Sequence, residues 1–278
     1  MTDLEKYEFD RCGYLVIPQL LSGDETVRLA AAVDPLIAHG EAHFNDPPRV
    51  MSRWGGEFHR NDELGYHVGG HWSKGLGDTI VVEDFFNAAP AFDCLVNHAR
   101  SMAYVTALIS DRPTINNSEL RVRYTGNMTR SHMGGLVGRK YSYRFYNNRI
   151  DCMMIRFVYF VHDVTAEQGA FCVVPGTHKT NYPPPYECEQ QDEPGVIALE
   201  VKAGDAILFT ENLRHGGVPN LSDQVRKTLH VGYGPFWLKS QNSATMDEDP
   251  YIVDSTRERY DKAQRTLFHA HDLQRTRD

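Results

Sequence analysis

The stretch 204–233, GDAILFTENLRHGGVPNLSDQVRKTLHVGY, carries the reading of the fold. A turn at Ala203-Gly204-Asp205 leads into an apolar run at 206–209, and a second run follows at 227–232 with Arg226 before it. Both read as short strands bounded by turn residues. Between them His215 precedes Gly216-Gly217, a pair that lets a ligand or another backbone approach closely.

The same pattern recurs upstream. Leu120, Val122 and Tyr124 alternate with Glu119, Arg121 and Arg123, as along a strand. Residues 152–161, CMMIRFVYFV, form a strong strand interrupted only by Arg156. Further strands are expected at 170–174, closed by Pro175-Gly176, and at 196–201. Short strands separated by turns indicate an antiparallel sandwich or barrel. Helices come first. Residues 4–12 form one that Gly13 ends, and 14–17 is a strand. Ser22 and Glu25 make a capping box for a helix to about His39. A helix over 90–110 carries Phe92, Leu95, Ala99, Met102, Val105 and Leu108 on its core face. The expected class is α+β, mainly β, with helices packed outside a β core.

Residues 43–78 resist assignment. They are rich in glycine and proline and hold Arg53, Trp54, Phe58, His59, Arg60 and Trp72. A lid or substrate loop and a plain surface loop are both open readings. From Asp247 onward a polar segment with helical spacing predicts a C-terminal surface helix. The whole is expected to be one domain over 1–278, with a helical part and lid at 1–115, a β core at 116–237 and a helical tail at 238–278.

Composition bounds the function. The chain is 41% hydrophobic and 24% charged, as in soluble globular proteins. No apolar run approaches the roughly 20 residues of a membrane span. The polar N-terminus, MTDLEKYEFDRCGY, does not read as a signal peptide. Five cysteines with no CxxC argue against a disulfide framework or structural zinc and suggest a reducing cytoplasm. A net charge of −8 speaks against a nucleic-acid polymer as partner. Monomer and homodimer are equally compatible.

Against that acidic background, residues 120–150 contain Arg121, Arg123, Arg130, Arg139, Lys140, Arg144 and Arg149, and no Asp or Glu. Positive charge is collected around His132, which precedes Gly134-Gly135. Such a patch suits a small-anion pocket; the plain alternative is a surface patch paired with carboxylates elsewhere.

Three segments together resemble the phytanoyl-CoA dioxygenase family of Fe(II)- and 2-oxoglutarate-dependent oxygenases. They are the opening FDRCGYLVIPQLLSGDE, the segment HDVTAEQGAFCVVPGTHKTNYPPP, and the stretch quoted first. The resemblance implies a double-stranded β-helix, a jelly-roll or cupin-like barrel. It implies that His132 and His215 bind Fe(II), and that Arg226 clamps the far carboxylate of 2-oxoglutarate. Thr228, on the same strand face, and Arg123 join the expected cofactor contacts. The chemistry implied consumes O2 and 2-oxoglutarate and functionalises a substrate C–H bond. His178 and Lys179, in the PGTHK turn, are expected to be structural, and His230 to pack inside the barrel.

One departure matters. The family's His-x-Asp reads His132-Met133-Gly134 here, and glycine cannot bind iron. Three readings follow. Iron-dependent halogenases resemble this pattern, so Gly134 leaves a coordination position for chloride, and an acid restored at 134 would suppress chlorination. Alternatively a carboxylate from elsewhere, Asp151 or Glu119, or water completes an oxygenase site. Third, the barrel is a catalytically dead binding module. Chlorination is the favoured expectation. The substrate is expected to be a small anionic metabolite, such as a phosphorylated compound or a nucleotide, held by Arg53, His59, Arg121, Arg139 and Arg144.

Overall fold

The computed structural model describes residues 1–51, 56–135, 141–238 and 252–268. Helix α1 (Asp3–Cys12) opens with a Thr2–Glu5 capping box and ends on Gly13, whose φ is +83°. A Cβ at Gly13 would stand 2.6 Å from His178 Nδ1, so backbone handedness and close approach both demand glycine. Strand β1 (Tyr14–Ile17) follows, then α2 (Gly23–His43), opened by the Ser22–Glu25 box and running a turn beyond His39.

The remaining strands are β2 (Arg49–Met51), β3 (Glu57–His59), β4 (His67–His71), β5 (Thr79–Glu83), β6 (Pro113–Arg123), β7 (Thr129–His132) and β8 (Tyr143–Tyr146). They continue with β9 (Arg149–Cys152), β10 (Ile155–Phe160), β11 (Phe171–Val174), β12 (Ile197–Leu199), β13 (Ala206–Thr210), β14 (Arg214–Gly217) and β15 (Arg226–Pro235). Nine form an antiparallel sheet in the order β1-β13-β10-β15-β6-β5-β4-β3-β2. Four form a smaller sheet, β12-β11-β14-β7, and β8 and β9 pair as a separate hairpin. The two larger sheets make a jelly-roll barrel of the double-stranded β-helix kind.

Strand parity divides each strand of the large sheet between two environments. Leu120 and Val122 of β6, Phe157 and Tyr159 of β10, Leu208 of β13, and Leu229 and Val231 of β15 pack with Leu29, Val33 and Leu36 of α2. Their neighbours point into the barrel. There Val158, Phe160, Ile207 and Phe209 meet Phe171 and Val173 of β11 in a second core. Truncating one such fully buried side chain to alanine costs about 2–5 kcal/mol.

Three expectations need correction. Residues 43–78 are not a structureless loop: β2, β3 and β4 extend the large sheet, with Phe58 paired to Gly69 and Val68 to Val82. Residues 90–110 break into a 3-10 turn, Pro90–Leu95, and α3 (Ala99–Leu108), because the His98 ring caps the Ser101 amide and starts a new helix. The C-terminal segment folds as two short helices, α4 (Asp254–Arg259) and α5 (Lys262–Thr266), rather than one; they lie on the surface as expected but are anchored to the core along one side. Tyr260, Leu267 and Phe268 are buried, Arg259 pairs with Asp93 at 2.9 Å, and the Ile115 amide donates to Leu267 O. Among the described residues no helix is long and apolar enough to cross a membrane.

Candidate active site

A cavity of about 230 Å³ opens between the two sheets. Its wall on the small sheet is set by register: His215 of β14 is the direct partner of His132 at the end of β7. The two ring centroids lie 4.3 Å apart. Each ring is oriented by the carbonyl two residues before it. His132 Nδ1 bonds Arg130 O at 2.9 Å, and His215 Nδ1 bonds Leu213 O at 2.7 Å. A carbonyl only accepts, so each Nδ1 carries the hydrogen and each Nε2 keeps its lone pair. Burial pushes the His215 pKa down to about 3, with His132 adding to the effect. His132 shifts down as well, from the protein packed around it, although solvent reaches its ring at the cavity mouth. Two neutral imidazoles facing one cavity are what a divalent metal requires.

The opposite wall comes from β6, β10 and β15, at positions whose parity points inward. Arg121 Nε donates to Glu119 Oε2 at 2.5 Å, and Asn117 donates to the other Glu119 oxygen. Arg156 spans Glu119 Oε2 at 3.5 Å, Asn117 Oδ1 at 2.7 Å and Glu211 Oε2 at 3.3 Å. Burial opposes the Glu119 charge, but Arg121 and Arg156 outweigh it and bring its pKa down to about 2. Glu211, at the end of β13 and 4% exposed, is likewise held below the usual range: burial opposes its charge, and Arg156, His215 and His132 favour it. Charges of alternating sign therefore line one wall.

Deeper in, Arg226 of β15 stands directly opposite Arg123 of β6. Arg226 Nη1 donates to Gly169 O, while its Nε and Nη2, and Arg123 Nη1, are buried without a hydrogen-bond partner among the described residues. Burial lowers the Arg226 pKa to about 10; burial, then Arg226 and Arg121, take Arg123 well below its ordinary value. Like charges directly opposite on neighbouring strands repel, and an unpaired buried guanidinium is costly, unless an anion joins them. Gly217 makes the room: a Cβ there would lie 2.7 Å from Arg123 Nη1 and 3.2 Å from Arg226 Nη1. The Thr228 hydroxyl is engaged with His230 Nε2 at 3.0 Å, and His230 lines the cavity, inside the barrel as expected.

Position 134 is not open space. A Cβ on Gly134 would come 2.8 Å from Glu211 Cγ, 3.0 Å from Glu211 O and 2.7 Å from Tyr141 Cδ2. A side chain restored at 134 would therefore force Tyr141 and Glu211 to shift. The two carboxylates put forward from the sequence are also engaged elsewhere. Asp151 accepts from Ser110 and Arg144, and it is not on the cavity wall. Glu119 is on the wall but held by Arg121, Arg156 and Asn117.

Of the residues expected to hold substrate, Arg121 lines the cavity. Arg144 does not: it pairs with Asp151 on the β8–β9 hairpin, its side chain 47% exposed. His59 is buried in β3, with Nδ1 on Asp46 O at 2.8 Å, and it is absent from the wall. Arg53 and Arg139, with Trp54 and Lys140, lie outside the described residues. His178 is structural, its Nε2 bonded to Asp10 O at 3.1 Å. Sequence reasoning missed Arg156 and Glu211. Both had a signal: Arg156 is the one charge in an apolar strand and shares parity with Val158 and Phe160, and Glu211 continues the inward parity of Ile207 and Phe209.

Comparison with known proteins agrees with this barrel. A fungal relative, dioxygenase hkm4 of Aspergillus hancockii, is 34% identical over 104 residues, 37% of this chain and 33% of that protein. Dioxygenase swnH1 of Arthroderma benhamiae is 30% identical over 128 residues, 45% of this chain and 39% of that protein. The chain thus spans about a third of the length of the curated relatives it matches. Among solved structures, HygX from Streptomyces hygroscopicus with nickel and 2-oxoglutarate bound superposes with a TM-score of 0.65 at 22% identity, covering 84% of this chain and 87% of that one. The carbocyclase SnoK from nogalamycin biosynthesis gives 0.60 at 18% identity, covering 94% and 91%. At these identities the likeness is one of fold. The family description "Phytanoyl-CoA dioxygenase (PhyH)" matches residues 9–228, most of the chain and every residue of the cavity wall but His230, and on that match the chain belongs to the phytanoyl-CoA dioxygenase family.

Proposed function

We propose that this protein is an Fe(II)- and 2-oxoglutarate-dependent oxygenase that hydroxylates a small anionic metabolite. The carrying observation is the pairing of two neutral histidines, Nε2 lone pairs free, with two buried arginines whose donors lack partners. His132 and His215 would hold the metal. Arg226, with Arg123, would hold the far carboxylate of 2-oxoglutarate, since a planar fork of donors matches a carboxylate. When bound, the iron and 2-oxoglutarate supply the oxidising power, consuming O2 and releasing succinate and CO2. The chain's own part is to place the two ligands, orient both imidazoles through backbone carbonyls, and keep the inner cavity dry. HygX is described with iron, nickel and 2-oxoglutarate, and SnoN with Fe3+ and α-ketoglutarate, which supports this reading by likeness of fold.

Hydroxylation is preferred here to chlorination, the favoured reading from the sequence. Chlorination rested on an opening beside Gly134, and Glu211 Cγ stands 2.8 Å from the Cβ position there, so a carboxylate is close at hand. The relatives are named dioxygenases. For the substrate, Arg121 is the cation toward which an anionic group would be drawn. Part of its charge is already met by Glu119, so a single carboxylate suits the wall as well as a phosphate does. The test is succinate release from 2-oxoglutarate under air, scored against nucleotides, sugar phosphates, amino acids and acyl thioesters. Release that requires His132 and His215 and is stimulated most by a small anionic compound supports the proposal. Equal release from His215→Ala defeats it, and a protein that binds no iron is the binding module instead.

A further inference from the structure

We propose that Glu211 supplies the carboxylate ligand of the metal site, replacing the acid that position 134 lacks. The inference rests on the oxygenase reading above. Its first support is steric. The Cβ position of residue 134 lies 2.8 Å from Glu211 Cγ, so the Glu211 carboxylate, one bond further on, starts where an acid from 134 would have projected. The two segments are locked together by the Gly134 amide, which donates to Glu211 O at 2.6 Å. Glycine at 134 and glutamate at 211 are therefore one exchange: the side chain was moved from one strand end to the facing one.

The second support is placement. Glu211 lines the same cavity as both histidines. Its Oε2 rests on Arg156 Nε at 3.3 Å, whereas Oε1 takes no hydrogen bond among the described residues. An outer arginine on one oxygen and a metal on the other is how ligating carboxylates are commonly oriented. Among the described residues no three His, Cys, Asp or Glu side chains already converge as a metal cage, so Glu211 must swing from Arg156 toward the rings on binding. The third support is charge. The cavity holds Arg121, Arg123 and Arg156 against two carboxylates, and a divalent cation with only neutral ligands would add to an excess of positive charge.

The experiment uses Co(II) alone as probe, titrated into the full-length protein and followed by visible absorption and calorimetry. Wild type is expected to bind one equivalent. Glu211→Gln and Glu211→Asp are expected to bind about 10- to 100-fold more weakly or worse, with an altered cobalt spectrum, and formate should restore the Glu211→Ala spectrum toward wild type. Chloride should shift the spectrum of Glu211→Ala and not that of wild type. Glu211→Gln that binds Co(II) with wild-type affinity and spectrum overturns the assignment. So does a wild-type spectrum that responds to chloride as strongly as that of Glu211→Ala. The chloride arm on wild type stands even if a variant misfolds. His132→Ala separates the two levels. If it loses Co(II) while Glu211→Gln keeps it, only the Glu211 assignment fails; if both keep it, the two-histidine site fails as well.

Discussion

The arginines of one sequence window divide into two groups that behave differently. Arg121, Arg123 and, just beyond the window, Arg156 point into the barrel, where carboxylates or an unmet donor define their surroundings. Arg130, Arg144 and Arg149 stand outside it. Arg130 faces Glu189 at 3.6 Å across solvent, Arg144 holds Asp151, and Arg149 Nη2 caps the last carbonyls of α3, with Thr106 O at 2.8 Å. The element each stands on separates them: Arg121, Arg123 and Arg156 sit on β6 and β10 of the large sheet at inward positions, whereas Arg144 and Arg149 belong to the separate β8–β9 hairpin and Arg130 to the edge strand β7.

The comparison can be broken most readily at its deepest point. Arg226→Ala removes a buried charged donor, and the loss of about 2–5 kcal/mol expected for such truncations corresponds to a rise of at least ~30-fold in the 2-oxoglutarate KM. An unchanged KM in a steady-state assay would show that the inner arginines do not hold the cosubstrate. The next effect concerns stability outside the cavity. His178 is buried and neutral, its pKa pushed down to about 4 by burial, against 6.5 when exposed. The unfolded chain therefore binds the proton more readily. The neutral His178 contributes its full stability above about pH 6.5, and that contribution is lost as pH falls through about 4. With each pKa unit worth about 1.4 kcal/mol, the full loss is on the order of 3–4 kcal/mol. Chemical denaturation at pH 7 and pH 4.5 should show a smaller drop for His178→Gln than for wild type, and equal drops would refute the assignment.

Arg123→Met sharpens the contrast further, since the inner site trades stability for binding. Removing a charge opposite Arg226 should raise the melting temperature without ligand, while 2-oxoglutarate affinity falls about tenfold, the worth of one charged hydrogen bond. A variant that melts lower and binds normally would place Arg123 among structural residues. Least of all, Arg144→Ala should change stability by no more than about 1 kcal/mol, as exposed ion pairs do, with KM for substrate and cosubstrate unmoved. A tenfold change in substrate KM would return Arg144 to the substrate site.

Much of this was legible before any coordinates. Runs such as 206–209 and 14–17 are apolar, short and bounded by turns, and they fold as strands almost where expected. His132 and His215 could be picked out because each precedes a pair of glycines, and their expected roles, with that of Arg226, came from the resemblance to the phytanoyl-CoA dioxygenase family. What was hidden depended on partners distant in sequence. The strands β2 to β4 are polar and glycine-rich, and they are strands because β5 offers an edge to pair with. The role of Glu211 depends on its closeness to Gly134, 77 positions away in the chain. Asp151 and Glu119 bounded the basic window and so drew attention, yet Ser110 and Arg156, which claim them, lie on other elements.

The central claim is that one cavity holds a metal on His132 and His215 and 2-oxoglutarate on Arg226. It is tested most directly by anaerobic titration of the protein with Fe(II) and then 2-oxoglutarate, watching for a weak visible charge-transfer band. One equivalent of each, a band lost with its iron in His215→Ala, and iron retained but the band lost at the same 2-oxoglutarate concentration in Arg226→Ala, is the result predicted. A band of full strength in His215→Ala, or a wild-type protein that takes up no iron, would contradict it.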